Sequence, residues 1–226
     1  MISMGVDTST PAGSVAILSD ERLLGEFNLA SGAHHQERLL RSLDLLLDLA
    51  GLDISRVDLF AVALGPGTFT GLRVGIATVK GLALARGVPA FGFSTLKALG
   101  DNHAHRGLPV AAMIDAGRGE VYAALYESDP GGVKEVLPER GEAPERFLST
   151  LPDQPLLFCG SGVRTYSDLI LRQRRGNDQL LEGPSFLGQI LGRLGLRKFK
   201  EGCPWSLASL KPNYLRLPDA EVRWRP

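Results

Sequence analysis

The sequence predicts an α/β fold built from two related lobes. Two stretches, residues 2–6 and 110–114, read as apolar strands that end in an aspartate, Asp7 and Asp115, and continue through a turn into a returning strand. Between them, strand-like and helix-like patterns alternate, which is typical of α/β proteins. With 44% hydrophobic residues in 226, the chain can bury a substantial core.

The N-terminal lobe is predicted to begin with three short strands and one helix. The strands lie at residues 2–6, 14–18 and 23–29, and the helix at residues 37–49. A fourth strand follows at residues 59–64, where six apolar residues without a charge are bounded by turn residues. Such a run is typical of a strand that is covered on both faces.

The segment after the fourth strand predicts a turn and a long helix. Glycine and proline at positions 65–67 end the strand, because glycine accepts positive φ and proline fixes φ. Thr70 is the predicted N-cap of a helix that runs to residue 86, with Gly87 at its C-terminal end. Apolar residues at helical spacing predict the buried stripe of this helix, namely Leu72, Ile76, Val79 and Ala83.

A second face of the same helix carries small residues, including Gly71, Gly75, Thr78 and Ala85. Each interior glycine gives up about 1 kcal/mol relative to alanine, so we expect another backbone to approach closely. Two neighbours fit: an element of the same domain, or a helix of a second subunit. In the second case the interface also includes helix 37–49, and its predicted residues are Gly71, Gly75, Thr78, Leu82, Glu37 and Leu40.

The C-terminal half repeats the strand and turn pattern. Strands are predicted at residues 110–114, 121–126 and 156–159, with a turn at 129–132 and a helix starting within 144–150. We therefore expect an N-terminal lobe at 1–107 and a C-terminal lobe at 108–205. A tail at 206–226 is expected to pack back on the N-terminal lobe.

Polar residues at the ends of the two Asp strands are candidates for nucleotide binding. Asp7 with the hydroxyls of Thr8, Ser9 and Thr10 could meet a phosphate and a hydrated metal ion, although an aspartate that ends a strand is commonly a turn residue. Asp115 occupies the matching place in the second lobe. A further candidate is the turn with Gly160 and Gly162, whose backbone N–H groups could hold a phosphate. We predict no catalytic residue.

Composition and missing motifs argue against several classes of protein and of site. The net charge is zero, so the chain has no overall excess of positive charge that would attract nucleic acid or an anionic membrane. No signal peptide or membrane span is predicted, and Cys159 and Cys203 lack a CxxC spacing, which favours reduced thiols and a cytoplasmic location. No P-loop, nucleophile elbow or metal spacing appears, and we predict no metal ligand among the four histidines, His34, His35, His103 and His105.

A locally basic stretch at residues 172–200 leaves two interpretations open. It contains Arg172, Arg174, Arg175, Arg193, Arg197, Lys198 and Lys200. These cations could neutralise RNA phosphates, which would make the affinity sensitive to salt, or they could form a solvated surface.

Five segments, in one order over nearly the whole chain, carry a family resemblance: GVDTSTPAGSVAIL, HHQERLL, LGPGTFTGLRVGIATVKGLALARGVPAFGFSTL, IDAGRGEVYAALYE and PNYLR. They closely resemble the TsaB (YeaZ) family. The resemblance implies the two-lobed fold of the actin, Hsp70 and sugar-kinase superfamily (the ASKHA fold). It also implies a role in bacterial synthesis of threonylcarbamoyladenosine (t6A), beside the anticodon of tRNAs that read codons starting with A.

The resemblance also implies partners. In that family a paralogue, TsaD, carries out the threonylcarbamoyl transfer, TsaB is the dimerising subunit that it needs, and TsaE is the ATPase. The resemblance is compatible with ATP or ADP bound at a subunit junction, and it implies no cofactor that this chain holds alone. It also implies that the chain meets tRNA through the complex. The free chain could form a homodimer.

One departure from the paralogue supports a non-catalytic subunit. Where TsaD-like proteins carry a metal-binding His-x-x-x-His, this chain has Thr95 and Leu99. Neither side chain replaces an imidazole ligand. The alternative is a nucleotide-dependent ATPase or small-molecule kinase of the same superfamily that uses Asp7, Asp115 and the turn at Gly160.

Overall fold

The computed structural model describes residues 1–30, 35–174 and 176–216, with side chains at all of these except 35–37. The chain forms two compact units. The first contains Met1–Thr95 and the returning segment Phe186–Asn213, and the second contains Leu96–Ser185 and, of the described chain, residues 214–216. Each unit has its own sheet and its own hydrophobic core.

The first unit contains a five-stranded mixed sheet. Its strands are β1 (Ile2–Asp7), β2 (Gly13–Ser19), β3 (Arg22–Leu29), β4 (Leu59–Gly65) and β5 (Ala90–Ser94), in the order β3-β2-β1-β4-β5. The first three are antiparallel, whereas β4 runs parallel to β1 and β5 parallel to β4. Helix α1 (His35–Leu49) precedes β4, and α2 (Phe69–Arg86) is the crossover that the parallel pair β4 and β5 requires.

The second unit repeats this arrangement. Its strands are β6 (Val110–Gly117), β7 (Glu120–Asp129), β8 (Gly132–Glu142), β9 (Leu157–Cys159) and β10 (Gln179–Leu180), in the order β10-β9-β6-β7-β8. Three strands are again antiparallel, and β9 and β10 are parallel to β6 and to each other. The predicted α/β fold with two duplicated strand-Asp lobes is therefore confirmed.

The remaining helices complete the two units. They are α3 (Thr95–His103), α4 (Pro144–Thr150), α5 (Ser161–Gln173) and α6 (Gly188–Lys200), together with single 3-10 turns at Ile54–Arg56, Ala104–Arg106 and Leu207–Ser209. In the part of the chain that is described, no helix combines the length and the apolar character needed to cross a bilayer.

The predicted long helix is confirmed as α2, with one correction at its start. Its N-cap is Thr68 rather than Thr70, and Gly87 ends it in the left-handed conformation, with φ 65°. The predicted apolar stripe is buried as expected, and it packs in the core of the first unit with residues of β1, β2 and α1.

Helix α6 covers the face of the first sheet that is opposite α1 and α2. Side chains alternate along a strand, so Met4 faces the core shared with α1 and α2, whereas Gly5 faces α6. A Cβ on Gly5 would lie 2.6 Å from the backbone nitrogen of Gly192, and one on Gly195 would lie 2.9 Å from the Ala61 Cβ. Glycines on both elements therefore allow the helix backbone to lie close to the sheet.

The position of α6 differs from the predicted domain boundaries. We expected residues 108–205 to form the second lobe, but α6 belongs to the first unit, and the first crossing between units falls after Thr95 rather than at residue 107. Residues 206–213 also lie with the first unit: Leu210 is buried in its core, and the Asn213 N–H donates to the Leu64 carbonyl at 2.7 Å. Of the rest of the predicted tail, residues 214–216 lie with the second unit, where the Arg216 guanidinium binds the Glu120 carboxylate at 2.9 Å, and the residues from 217 onward lie outside the described chain.

Candidate functional site

The two strand-Asp turns share one polar arrangement. Asp7 ends β1, and its Oδ1 accepts a hydrogen bond from the Ser9 N–H at 2.8 Å. In β6, the Asp115 Oδ1 accepts from the Gly117 N–H at the same distance. Each carboxylate thus closes an Asx turn, which is a common way for aspartate to stabilise a chain reversal.

The turn after β1 is closed by the start of α2. The Thr8 hydroxyl donates to the Gly71 carbonyl at 2.7 Å, and the Thr68 N–H donates to the Ser9 carbonyl at 2.7 Å. Asp7, Thr8 and Ser9 are all buried. The Thr8 hydroxyl and the Ser9 carbonyl are therefore engaged by the protein's own helix, and the role of Asp7, Thr8 and Ser9 as phosphate contacts stays a prediction.

Thr10 is the fourth residue predicted for this site, and it is half-buried. Its hydroxyl donates to the Ala12 carbonyl at 3.2 Å. Of the four predicted residues, it is the one left at the surface by the closure of the turn.

The turn around Asp115 is more open and carries additional hydroxyl groups. The Asp115 N–H donates to the Ser161 Oγ at 3.1 Å, and the Thr165 hydroxyl donates to the Asp115 Oδ2 at 3.0 Å. Ser161 and Thr165 are exposed on the first turns of α5. Nearby, burial raises the pKa of Tyr166, and the Asp115 carboxylate adds to the shift. We had not predicted Thr165, because α5 itself was not predicted, whereas Ser161 lies between the two glycines of the predicted cradle.

The predicted backbone cradle at Gly160 and Gly162 has a packing explanation. Gly160 has φ +99°, and a Cβ there would lie 3.1 Å from a Leu99 methyl and closer still to the Met113 carbonyl oxygen. A Cβ on Gly162 would lie 3.1 Å from the Met113 Cβ. These glycines therefore allow α5 to start directly against β6, which accounts for them without a bound phosphate.

The glycines of α2 face into the first unit, which corrects our interpretation of them as partner contacts. A Cβ on Gly71 would lie 2.5 Å from the Thr68 Oγ1 and closer still to the Thr8 carbonyl oxygen, and one on Gly75 would overlap the Thr8 Oγ1. Both glycines are buried. Of the two neighbours that the sequence allowed, the one found is an element of the same domain, the turn after β1.

The outward face of α2 carries another row of small residues, which shares only Ala85 with the predicted small-residue face. Ala77, Gly81 and Ala85 follow at four-residue spacing and are exposed, and a Cβ on Gly81 would have no atom within 4 Å. Leu84 lies on the same side and is 73% exposed. The sequence predicted the close approach at Gly71 and Gly75, but it did not single out this outward row.

The other predicted interface positions differ in their exposure. On α2, Thr78 and Leu82 are half-buried, and on α1, Leu40 is 58% exposed. The side chains of His35 and Glu37 lie outside the description, as do residues His34 and Arg175.

His103 and His105 lie at the end of a helix and just beyond it. His103 ends α3, and His105 lies in the 3-10 turn that follows. Burial lowers the pKa of His103 to about 4, and Arg106 and His105 contribute. Among the residues with described side chains, no three His, Cys, Asp or Glu groups come together in a way that could hold a metal ion.

Comparisons with known proteins identify the family. A family model described as tRNA N6-adenosine threonylcarbamoyltransferase, of the TsaD type, matches residues 29–169. The tRNA threonylcarbamoyladenosine biosynthesis protein TsaB of Haemophilus influenzae is 31% identical over 232 residues, covering 98% of this chain and 95% of that protein. The chain belongs to the TsaB (YeaZ) family. TsaB of Bacillus subtilis is 29% identical, with 99% of this chain and 98% of that protein covered.

Solved structures agree with membership of the TsaB family. YeaZ from Pseudomonas aeruginosa superimposes with a TM-score of 0.82 at 30% identity, covering 95% of this chain and 99% of that one. The ethanolamine utilization protein EutJ from Carboxydothermus hydrogenoformans, with a TM-score of 0.56 at 12% identity, shares the fold alone. The ROK hexokinase from Thermus thermophilus also shares the fold, with a TM-score of 0.50 at 13% identity, covering 89% of this chain and 99% of that one, so the predicted ASKHA fold is confirmed.

In this TsaB-family chain, the two positions that resemblance aligns with the paralogue's histidines are inside the protein. Thr95 starts α3 and Leu99 lies one turn later, and both are buried. The Leu99 side chain contacts the start of α5 near Gly160. These positions therefore contribute to packing.

Proposed function

We propose that this chain acts in the biosynthesis of tRNA threonylcarbamoyladenosine as a subunit that pairs with a TsaD-type transferase and has no active site of its own. The observation that carries the proposal is similarity to proteins named TsaB along nearly the whole chain. Similarity confined to one lobe would support the shared fold, whereas similarity over both lobes supports the shared role.

The chemistry of the predicted site supports a subunit without its own active site. A leucine and a buried threonine stand at the paralogue's histidine positions, and an alkyl side chain offers no lone pair to a metal. The Thr8 hydroxyl and the Ser9 carbonyl in the turn after β1 bond to residues at the start of α2, so these two groups are engaged within the first unit. Both features weigh against the alternative of an independent ATPase or kinase.

We further propose that the partner binds the outward faces of α1 and α2. Leu40 and Leu84 are large apolar side chains left in solvent, and the exposed row Ala77, Gly81 and Ala85 would let a partner helix approach closely. A specific interface of this kind buries roughly 1,000 Å² or more. We propose that the free chain pairs with a second copy through the same face, because an isologous dimer needs no other surface.

The interface is tested by Leu84→Asp, with Leu171→Asp as the matched control. Both leucines are exposed on helices, at 73% and 62%, so each change places a carboxylate on an open surface, but Leu171 lies on α5 in the second unit. Leu84→Asp should weaken association with a TsaD-type subunit at least 10-fold, as measured by calorimetry, since loss of a buried apolar anchor and burial of a charge cost about 1.4 kcal/mol or more. Equal affinity of both variants would contradict this interface.

The function is tested by reconstitution. Unmodified tRNA is incubated with TsaD, TsaE, the adenylate-forming enzyme, ATP, threonine and bicarbonate, with and without this chain, and the yield of threonylcarbamoyladenosine is measured. We expect modification to require the chain and to survive Asp115→Ala. If omission changes nothing, the proposed function fails. If Asp115→Ala abolishes modification while the variant still binds TsaD, the chain contributes to catalysis.

We propose that this chain alone holds no nucleotide and that ATP or ADP binds, if at all, where subunits meet. Calorimetry of the purified chain with ADP and Mg²⁺ should then give no heat of binding. Binding in the micromolar range, together with ATP turnover that is lost in Asp7→Asn, would instead support the alternative of a nucleotide-dependent enzyme.

A further inference from the structure

The solvent-facing side of α6 is a row of cations. Arg193, Arg197 and Lys200 follow at four- and three-residue steps, so they share one face of the helix, and all three are exposed. The other side of the helix packs against the first sheet and consists of apolar and glycine residues, namely Gly188, Leu191, Gly192, Leu194, Gly195 and Leu196. The helix thus separates a packed side from a positively charged side.

The positive charge of this segment is not balanced locally. Phe186–Asn213 contains five cationic residues and one acidic residue, Glu201, although the whole chain is neutral. Among the ion pairs of the described chain, none involves Arg193, Lys198 or Lys200. Cations that no nearby carboxylate neutralises keep their full attraction for an anionic ligand.

Other arginines of the predicted basic stretch are not part of this surface. Arg174 is nearly buried in the second unit, where its guanidinium binds the Asp178 carboxylate at 2.6 Å. Arg172, also in the second unit, donates to the Asp168 carbonyl of its own helix at 3.0 Å. The basic stretch is therefore two separate groups, and the α6 group is the one with an excess of positive charge.

Two aromatic side chains accompany these cations. Phe199 is 39% exposed at the end of α6, and Trp205 is 45% exposed just beyond it. Cations near a helix C-terminus also interact favourably with the helix dipole, but this accounts neither for Arg193, which lies in the middle of α6, nor for two exposed aromatic rings. Cationic side chains beside exposed aromatic rings are typical of surfaces that bind RNA by phosphate contact and base stacking.

We infer that the outward face of α6, with Phe199 and Trp205, binds RNA directly. Arg193, Arg197 and Lys200 extend over about 10 Å of helix, taking 1.5 Å for each residue, which is long enough to follow several backbone phosphates. The inference rests on the proposed function in one respect: the RNA is the tRNA on which the complex acts.

The test measures binding of the full chain to unmodified tRNA by fluorescence anisotropy at several salt concentrations. The variant is Arg193→Gln, Arg197→Gln and Lys200→Gln together. The control is Lys134→Gln, Arg140→Gln and Arg164→Gln, which removes three exposed cations from the second unit. Circular dichroism checks that both variants are folded.

Raising the salt concentration from 50 to 200 mM weakens tRNA binding by both proteins. If the variant has lost three phosphate contacts, this decrease in affinity should be about 20- to 40-fold larger for the wild type than for the variant. The control should keep the wild-type salt dependence. Trp205→Ala should weaken binding and leave the salt dependence unchanged, because stacking releases no counterions. An α6 variant that binds tRNA like the wild type overturns the inference.

Two further outcomes distinguish RNA binding from protein binding and from failure of the proposed function. If the α6 variant retains tRNA binding but loses binding to the TsaD-type subunit, the face contacts an acidic protein surface and the inference is overturned. If the wild-type chain supports modification in the reconstituted mixture while the α6 variant binds tRNA normally, the proposed function stands and the RNA site alone fails.

Discussion

Replacing Gly71 with alanine tests the packing of α2 on the turn after β1. The added Cβ would lie 2.5 Å from the Thr68 Oγ1, and closer still to the Thr8 carbonyl oxygen, whereas real Cβ atoms essentially never come within 3.0 Å of another heavy atom. The helix or the turn must therefore move by at least 0.5 Å. Because the Thr8 atom belongs to the backbone, no side-chain rotation relieves the overlap.

The expected free-energy change follows from three contributions. Overpacking of a closed site costs about 1–3 kcal/mol, and weakening of the hydrogen bond from the Thr8 hydroxyl to the Gly71 carbonyl costs about 1 kcal/mol more. Alanine in place of glycine returns about 1 kcal/mol through helix propensity. Gly71→Ala should thus destabilise the first unit by about 1–3 kcal/mol.

Gly81→Ala is the matched control on the same helix. A Cβ there meets no atom within 4 Å, so the propensity gain of about 1 kcal/mol is unopposed and the protein should become more stable. The two melting temperatures should then differ by roughly 4–16 °C. Calorimetry is the suitable assay, because a chain with two units need not unfold in one step. Equal melting temperatures would refute the packing argument and restore Gly71 as a candidate partner contact.

Two further predictions concern titratable groups. Because burial holds the pKa of His103 near 4, below its ordinary value of 6.5, the unfolded chain binds a proton more readily. The free energy of unfolding is therefore unaffected by this group above pH 6.5 and decreases as the pH falls toward 4. Denaturant unfolding at pH 7, 5.5 and 4.5 should show a smaller decrease in the free energy of unfolding for His103→Gln than for the wild type. An equal decrease in both proteins would contradict this. Burial also raises the pKa of Cys159 to about 12, whereas Cys203 is partly exposed. A thiol reagent should therefore titrate one cysteine in the folded protein and two after denaturation, and two fast thiols in the native state would be the contrary result.

The elements that could be predicted from sequence are those whose signal is local. The strand at β4 has an uninterrupted apolar run, and α2 has an apolar stripe that ends in a glycine with positive φ, so both were found within a few residues. By contrast, α6 was missed because Gly188, Gly192 and Gly195 interrupt its apolar pattern; these glycines are required by the sheet that it covers. Strand β8 was missed because six of its eleven residues are exposed and five are charged.

The candidate site also contains features that follow from local sequence and features that depend on distant residues. The positions of Asp7 and Asp115 at strand ends follow from the sequence, because apolar runs stop there. The closure of the first turn does not, since it depends on Thr68 and Gly71, about 60 positions further along the chain. Likewise, the sequence showed that α2 must be approached closely at its glycines but not by which neighbour.

The discontinuous first unit has a consequence for folding during synthesis. The strands of its sheet and the helix that covers their second face are separated by Leu96–Ser185, which belong to the other unit. At about 5–20 residues per second, a ribosome needs roughly 5–20 s to make that insertion. During this interval the nascent sheet has one face covered by α1 and α2 and the other, with Gly5 and Ala61, still in water. The first unit begins to be translated first, but it is complete only after nearly all of the second unit has been made. A chain that stops before α6 leaves the uncovered face of the first sheet as a binding surface for chaperones.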